Sequence, residues 1–171
     1  MTSVAIEPAR KEHLAVIPLI ELDAARLFPE ADLPQSVRHR VTAVAGLQEA
    51  LEHGRLWVAV ADNKSAVGFA MAEIVAGQAY LNELGVLQAH GRQGIGSRLV
   101  ANVIDWAGQA GFRHLSLITF RHLPWNALFY EKLGFSVLDA AEHGAEIAGR
   151  IEDEGRAGIN IADRVAMRMD L

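Results

Sequence analysis

The chain has 171 residues, is 51% hydrophobic and carries a net charge of −5, from 16 lysines and arginines against 21 aspartates and glutamates. That length and apolar share fit one folded domain, residues 1–171, and exclude a disordered chain. The acidic balance excludes a nucleic-acid binder, which needs a basic surplus to neutralise phosphates. The absence of cysteine excludes disulfides, thiolate metal sites and a cysteine nucleophile, and it suits the reducing cytoplasm.

The opening MTSVAIEPARKEH has no basic region followed by an apolar core, so no signal peptide is expected. No uncharged apolar run approaches the roughly 18 residues of a membrane span. Ser3 to Ile6 reads as a first strand. After Pro8, Leu14, Ile17, Leu19, Ile20, Ala24, Leu27 and Phe28 recur at helical spacing, with Pro18 set to kink or split the pattern. Pro29 and Pro34 bracket a polar connector. A second helix fits Val41 to Glu52, stopped by Gly54. LWVAVAD and AVGFAMAEIV then read as a hairpin about Asp62 to Ser65, and Gly77-Gln78 turns the chain into a further strand, Ala79 to Val86.

VLQAHGRQGIGSRL follows, from Val86 to Leu99, and opens a helix over Ile95 to Ala110 whose apolar face is Ile95, Leu99, Val103 and Trp106. Gly111 ends that helix. HLSLITF is a fifth strand. PWNALFYEKL is a short helix with proline near its start, closed by Gly134. FSVLDA is a sixth strand, and Glu142 to Gly158 is acidic, helix-prone and interrupted by glycine. RVAMRMDL is a last strand. The run Glu152-Asp153-Glu154 reads as a solvated helix face.

The strand, glycine turn and helix around Gly91 to Ser97 can aim several backbone N–H groups at one anion, with the positive end of the helix behind them. A P-loop would place lysine after the last glycine, but Ser97 and Arg98 follow Gly96. A dinucleotide fold would place glycine at Leu99 and an acid at the end of the next strand, and HLSLITF has none. The strands before the turn also read as a meander rather than as parallel units.

A helical N-terminal third, three meander strands, a glycine turn, a long helix, a strand and a short helix holding FYEKLGF resembles the GNAT N-acetyltransferase superfamily over nearly the whole chain. The family's acetyl-coenzyme-A motif matches Gly91-Arg92-Gln93-Gly94-Ile95-Gly96, with Gly91 standing where glutamine or arginine is usual. The resemblance implies an α/β fold: a mixed, mostly antiparallel sheet of six to seven strands, splayed between the fourth and fifth and flanked by helices. It implies that the pyrophosphate of acetyl-coenzyme A rests on N–H groups from Gly91, Arg92, Gln93, Gly94, Ile95, Gly96 and Ser97. Leu84, Gly85 and Val86 would hold the pantetheine arm in the gap that a bulge there opens between the fourth and fifth strands, and Tyr130 would be the general acid. A homodimer is compatible with the resemblance.

Acetyl transfer to an amine requires a proton to leave the nucleophile, because an alkylammonium with a pKa of about 10.4 is almost wholly protonated at neutral pH. Glu83, on the fourth strand, is the leading base, and Glu21, on the first helix, is a second carboxylate for catalysis or acceptor binding. Strand alternation places Glu83 opposite Leu84 but does not say which face meets the acceptor. The family's asparagine position, seven residues before Tyr130, is Leu123. Asn126 could cap the short helix or reach the cofactor, with capping the stronger reading. Trp125 reads as packing. Arg121 and His122 could line the acceptor site. No histidine pair has metal-ligand spacing, so no metal is assigned.

The expected activity is transfer of acetyl from acetyl-coenzyme A to a primary amine by direct attack in a ternary complex. The alternative is a silent acyl-coenzyme-A sensor, and a structural protein on the same fold is the third possibility. Small amines, polyamines, antibiotics, amino acids and peptide or protein amines all fit as acceptors, with the net charge favouring a cationic one.

Overall fold

Apolar segments between residues 4 and 86 build the first half of a mixed sheet in the computed structural model, which describes residues 3–171. Strands β1 (Val4–Pro8), β2 (Leu56–Ala61), β3 (Ala66–Val75) and β4 (Gln78–Val86) pair antiparallel in chain order. The second half holds β5 (His114–Phe120), β6 (Ser136–Val137) and β7 (Arg164–Asp170), with β7 between the other two. The full order is β1-β2-β3-β4-β5-β7-β6. Its parallel pair, β4 with β5, is held only at Ala79–Leu115 and Tyr80–Ser116. Beyond Tyr80 the two strands part, which is the expected splay.

The helices are α1 (Ile17–Ala25), α2 (Gln35–Arg38), α3 (Val44–Glu52), α4 (Ile95–Gln109), α5 (Ala127–Lys132) and α6 (Gly144–Arg156). On one face of the sheet, Ile95, Leu99, Val100, Val103 and Ala107 of α4 pack on Ala59, Ala70, Ala72, Leu81 and Leu115. Small residues on these strands let the helix approach closely. On the other face, Ile17 and Ile20 of α1 and Leu47 of α3 cover Val58, Phe69 and Met71. Farther along that face, Ile147 of α6 covers Tyr80 and Ala166. The second face is therefore roofed at both ends and open between α1 and α6. Among the described residues, no helix is long and apolar enough to cross a membrane.

Several boundaries differ from expectation for identifiable reasons. The first strand runs on to Pro8, which its edge position permits because β1 pairs only with β2. Pro18 does not kink a long helix; it sits in the first turn of α1, where a missing N–H is harmless. The connector after Pro34 contains the short helix α2, and α3 begins at Val44 rather than Val41. The β3–β4 turn is Ala76-Gly77, with φ of 51° and 72°, and Gln78 already belongs to β4. A two-residue hairpin of this hand needs both central residues left-handed. The sixth strand shrinks to Ser136–Val137 because Asp139 and Glu142 cap each other's backbone around a 3₁₀ turn.

Candidate active site

One irregularity in β4 aims the central carboxylate. Met71 pairs with Glu83, but its neighbour Ala72 pairs with Leu81, so Asn82 is an extra residue in β4. Such a bulge shifts the alternation of side chains by one. Ala79 and Leu81 before it, and Leu84 and Val86 after it, all pack toward α4. Tyr80 and Gly85 face the opposite side, toward α6 and α1 respectively. Strict alternation from Leu81 would have buried Glu83 beneath α4. The bulge turns it to the α1–α6 side instead.

That side holds a cavity of about 600 Å³, bounded by α1, α2, the bulged part of β4, β5 and α6. Glu83, Glu21, Tyr80, Thr119, Asn126 and Tyr130 all line it. Glu83 faces the open volume and is reached by solvent there, while protein encloses it on the other sides. Burial, followed by the nearby Glu21 charge, pushes its carboxyl up to about 8. Water in the cleft tempers that shift, and a ligand that displaced the water would strengthen it. Tyr130 is buried, with its ring held edge-on by Phe129 and Phe135 at centroid distances of 4.9 and 5.7 Å. Burial and then the Glu83 charge raise its phenol above the ordinary range, so it keeps its proton at neutral pH.

Buried and half-buried arginines brace the cleft. Arg150 of α6 donates to Glu73 at 2.6 Å and to the bulged Asn82 at 3.3 Å, and lies 4.6 Å over the Tyr80 ring. Arg164 makes two bonds to Glu154, at 2.6 and 2.9 Å, and covers Phe120 at 4.2 Å. The acidic run 152–154 is therefore not wholly a solvated face. Glu152 and Asp153 are exposed and pair with Arg156, but Glu154 turns inward. Helical spacing places Glu154 below Arg150 and Ile147 on the packed side of α6. Arg38 donates to the Ala25 and Phe28 carbonyls and so closes the C-terminal end of α1.

The glycine turn lies at the N-terminus of α4. Arg92 and Gly94 adopt φ of 58° and 75°, so the chain alternates hand around Gln93 and forms a concave backbone of the kind that binds anions. Among the described residues, the N–H groups of Arg92, Gln93 and Gly94 have no protein acceptor. Ile95, Gly96 and Ser97 form the first turn of α4, whose N–H groups have no intrahelical partner. A Cβ built on Gly94 meets nothing within 4 Å. Gly91 differs from expectation: its N–H donates to Gln88 at 3.0 Å and is already spent in a 3₁₀ turn. The unpaired N–H groups therefore run from Arg92 to Ser97.

A splayed β4–β5 pair, a bulge facing a cleft and an anion cradle on the next helix belong together in one known group. Residues 20–135 match the family model described as Acetyltransferase (GNAT) family. The chain belongs to the GNAT acetyltransferase family. Solved structures share the fold at low identity. PaiA N-acetyltransferase from Thermoplasma acidophilum, solved with coenzyme A, is 17% identical with a TM-score of 0.70, covering 99% of both chains. The ribosomal-protein-S18-alanine N-acetyltransferase of Escherichia coli is 19% identical with a TM-score of 0.66, over 98% of this chain and 94% of that one. Arabidopsis thaliana Naa50, solved with the bisubstrate analogue CoA-Ac-MVNAL, is 20% identical with a TM-score of 0.64, over 99% of both.

Within this GNAT fold the expected residues divide. Glu83, Glu21, Tyr130, Asn126, Leu84 and Gly85 line the cleft together. Glu21 is engaged, since both its oxygens accept from the Thr42 N–H at 3.2 and 3.0 Å and one accepts from Thr42 Oγ1 at 2.6 Å. Asn126 does not cap α5; its Nδ2 donates across to Thr119 Oγ1 at 2.7 Å. Gly85 is required by packing, because a Cβ there would approach Phe69 to 2.9 Å. Trp125 packs edge-on against Phe28 at 6.3 Å.

Arg121 and His122 do not line the large cleft. Arg121 borders a smaller cavity beside α6. His122 Nε2 lies 2.8 Å from Asp32, and its Nδ1 lies 3.8 Å from Asp163. Donor atoms of these three residues fall within 4.8 Å of one another, and the pairing ties the α1–α2 connector to the entry of β7. Arg38 and Arg40 of the connector and Thr119 of β5 also line the cleft, as do Arg150 and Arg164, which pattern reading passed over. The i, i+4 series Glu146, Arg150, Glu154, beside Ile147 and Ile151, was the available signal for α6.

Proposed function

We propose that this protein transfers acetyl from acetyl-coenzyme A to a primary amine by direct attack in a ternary complex, with Glu83 as base and Tyr130 as proton donor. The supporting observation is the β4 bulge, which brings Glu83 into the same cleft as Tyr130 beside the parting of β4 from β5. Backbone N–H groups from Arg92 to Ser97 suit a pyrophosphate, because they are unpaired and directed by a helix N-terminus. Bound acetyl-coenzyme A supplies the activated acetyl thioester and carries away the sulfur. Glu83, with its carboxyl near 8, is a base strong enough to relay a proton from an ammonium and weak enough to be ionised at mildly alkaline pH. Tyr130 keeps its proton and offers a hydrogen bond to the departing sulfur. Its raised phenol favours such donation over complete transfer, since even an ordinary phenol lies about 2 kcal/mol uphill of a thiol.

Calorimetric titration with acetyl-coenzyme A, followed by thiol release over an amine panel, tests the reading. Micromolar binding and amine-dependent thiol release are expected. Binding without release from a broad panel would instead mark a sensor, and no binding at millimolar levels would remove both. Tyr130→Phe should lower kcat by about tenfold or more with little change in cofactor affinity. Wild-type turnover in that variant would dismiss Tyr130 as the donor.

A further inference from the structure

The charges lining the cleft do not all cancel. Arg164 is matched by Glu154, Arg150 by Glu73 and Asp153 by Arg156. Four charged side chains remain: Glu21 and Glu83, and Arg38 and Arg40. Among the described residues, none of these four is in an ion pair. Arg38 and Arg40 spend some of their N–H groups on backbone carbonyls, and neither has a carboxylate partner among the described residues.

These four are segregated. Glu83 projects from the bulge, and Glu21 is the charge that most opposes its ionisation. Arg38 is anchored at the Ala25 and Phe28 carbonyls, beginning one helical turn, about 6 Å, beyond Glu21 along α1. Arg40 follows on the same connector. Phe28, Val37, Val41 and Phe120 add apolar surface to the cleft. The cleft thus offers an acidic end, a basic end and apolar surface.

We infer that the acceptor is a free amino acid with an apolar side chain, its amine directed to Glu83 and Glu21 and its carboxylate to Arg38 and Arg40. The inference rests on the proposed acetyl transfer for the position of the amine. A polyamine or polycationic antibiotic would set its further ammonium groups against the arginines, and like charges so placed oppose binding. A peptide N-terminus carries an amide where the arginines call for an anion. The charge of the cleft, rather than the net charge of −5, governs recognition, and it reverses the leaning toward a cationic acceptor.

Matched acceptors test this. L-phenylalanine should exceed phenylalaninamide, phenethylamine and spermidine in kcat/KM by at least about tenfold, as expected for a charge-assisted bond. Arg40→Gln, on an exposed connector, should shrink the phenylalanine-to-phenethylamine ratio to within about threefold. Equal use of phenethylamine, preference for spermidine, or an unchanged ratio in Arg40→Gln overturns the inference. Should none of these amines be turned over, calorimetry on protein saturated with coenzyme A decides. L-phenylalanine must bind at least about tenfold more tightly than phenethylamine, and equal or undetectable binding of both overturns the inference. Failure of acetyl-coenzyme A to bind is a separate result, which removes the proposed transfer; the same pair is then titrated into the ligand-free protein and judged by the same ratio.

Discussion

Glutamine in place of Glu83 should lower kcat/KM by about 10²- to 10⁴-fold, the range for loss of a general base. It should also remove the carboxyl's inflection from the pH profile, leaving only the rise set by deprotonation of the amine. In the parent, the carboxyl should add an inflection above the ordinary carboxylate range and no higher than about 8. The same substitution makes a prediction about stability with the opposite sense. A carboxyl whose pKa is raised on folding weakens the fold increasingly as pH climbs from its unfolded value of about 4.3 through its folded value. The Glu83→Gln protein should therefore melt higher than the parent at pH 9 and equal to it at pH 4. Identical pH–rate profiles for the two proteins would remove Glu83 from the chemistry, and identical melting at pH 9 would show that the cleft does not hold the carboxyl up.

Valine in place of Gly94 should weaken binding of acetyl-coenzyme A by about 100-fold or more. Two effects add. Gly94 has φ of 75°, a conformation that opposes a β-branched residue by about 1–2 kcal/mol. The space beside it is open, and the new side chain is expected to crowd an anion approaching the neighbouring unpaired N–H groups. Because a Cβ there has no protein atom within 4 Å, the fold should tolerate the change, and the melting temperature should fall by only a few degrees. Alanine should produce a smaller loss in the same direction. Parent-like affinity in a folded Gly94→Val protein would count against the cradle as the pyrophosphate site.

Much of this architecture was legible because local chemistry and tertiary role agree. The meander, the α4 face of Ile95, Leu99 and Val103 and the glycine turn all follow from periodicity and turn residues, and the structure has them close to where they are expected. The site was legible only in part. A bulge leaves no residue signature, so the orientation of Glu83 could not be read from LNELGV. Gly91 looked like a cradle residue because its backbone engagement with Gln88 is invisible in sequence. Arg121 and His122 follow β5 directly, but the Arg121 N–H bond to the Asp163 carbonyl and the pairing of His122 with Asp32 draw them off the cleft. The arginines of the basic end come from a connector whose path depends on how Arg38 closes α1, a contact between residues 10 and 13 positions apart.

The meagre join between β4 and β5 makes the sheet two boards on one hinge. Residues 4–86 complete the pairings of the first board, and residues 114–170 complete those of the second, so nearly all ladder hydrogen bonds close within one board or the other. Only Ala79–Leu115 and Tyr80–Ser116 cross the seam, and α4 spans it as a splint. Pairings confined to each board shorten the loops that must close early in folding, leaving the docking of the boards as the long-range event. Amide exchange should then reveal two zones of protection meeting at the seam, and any molecule lodged in the gap would act as mortar, stiffening the whole sheet from its weakest line.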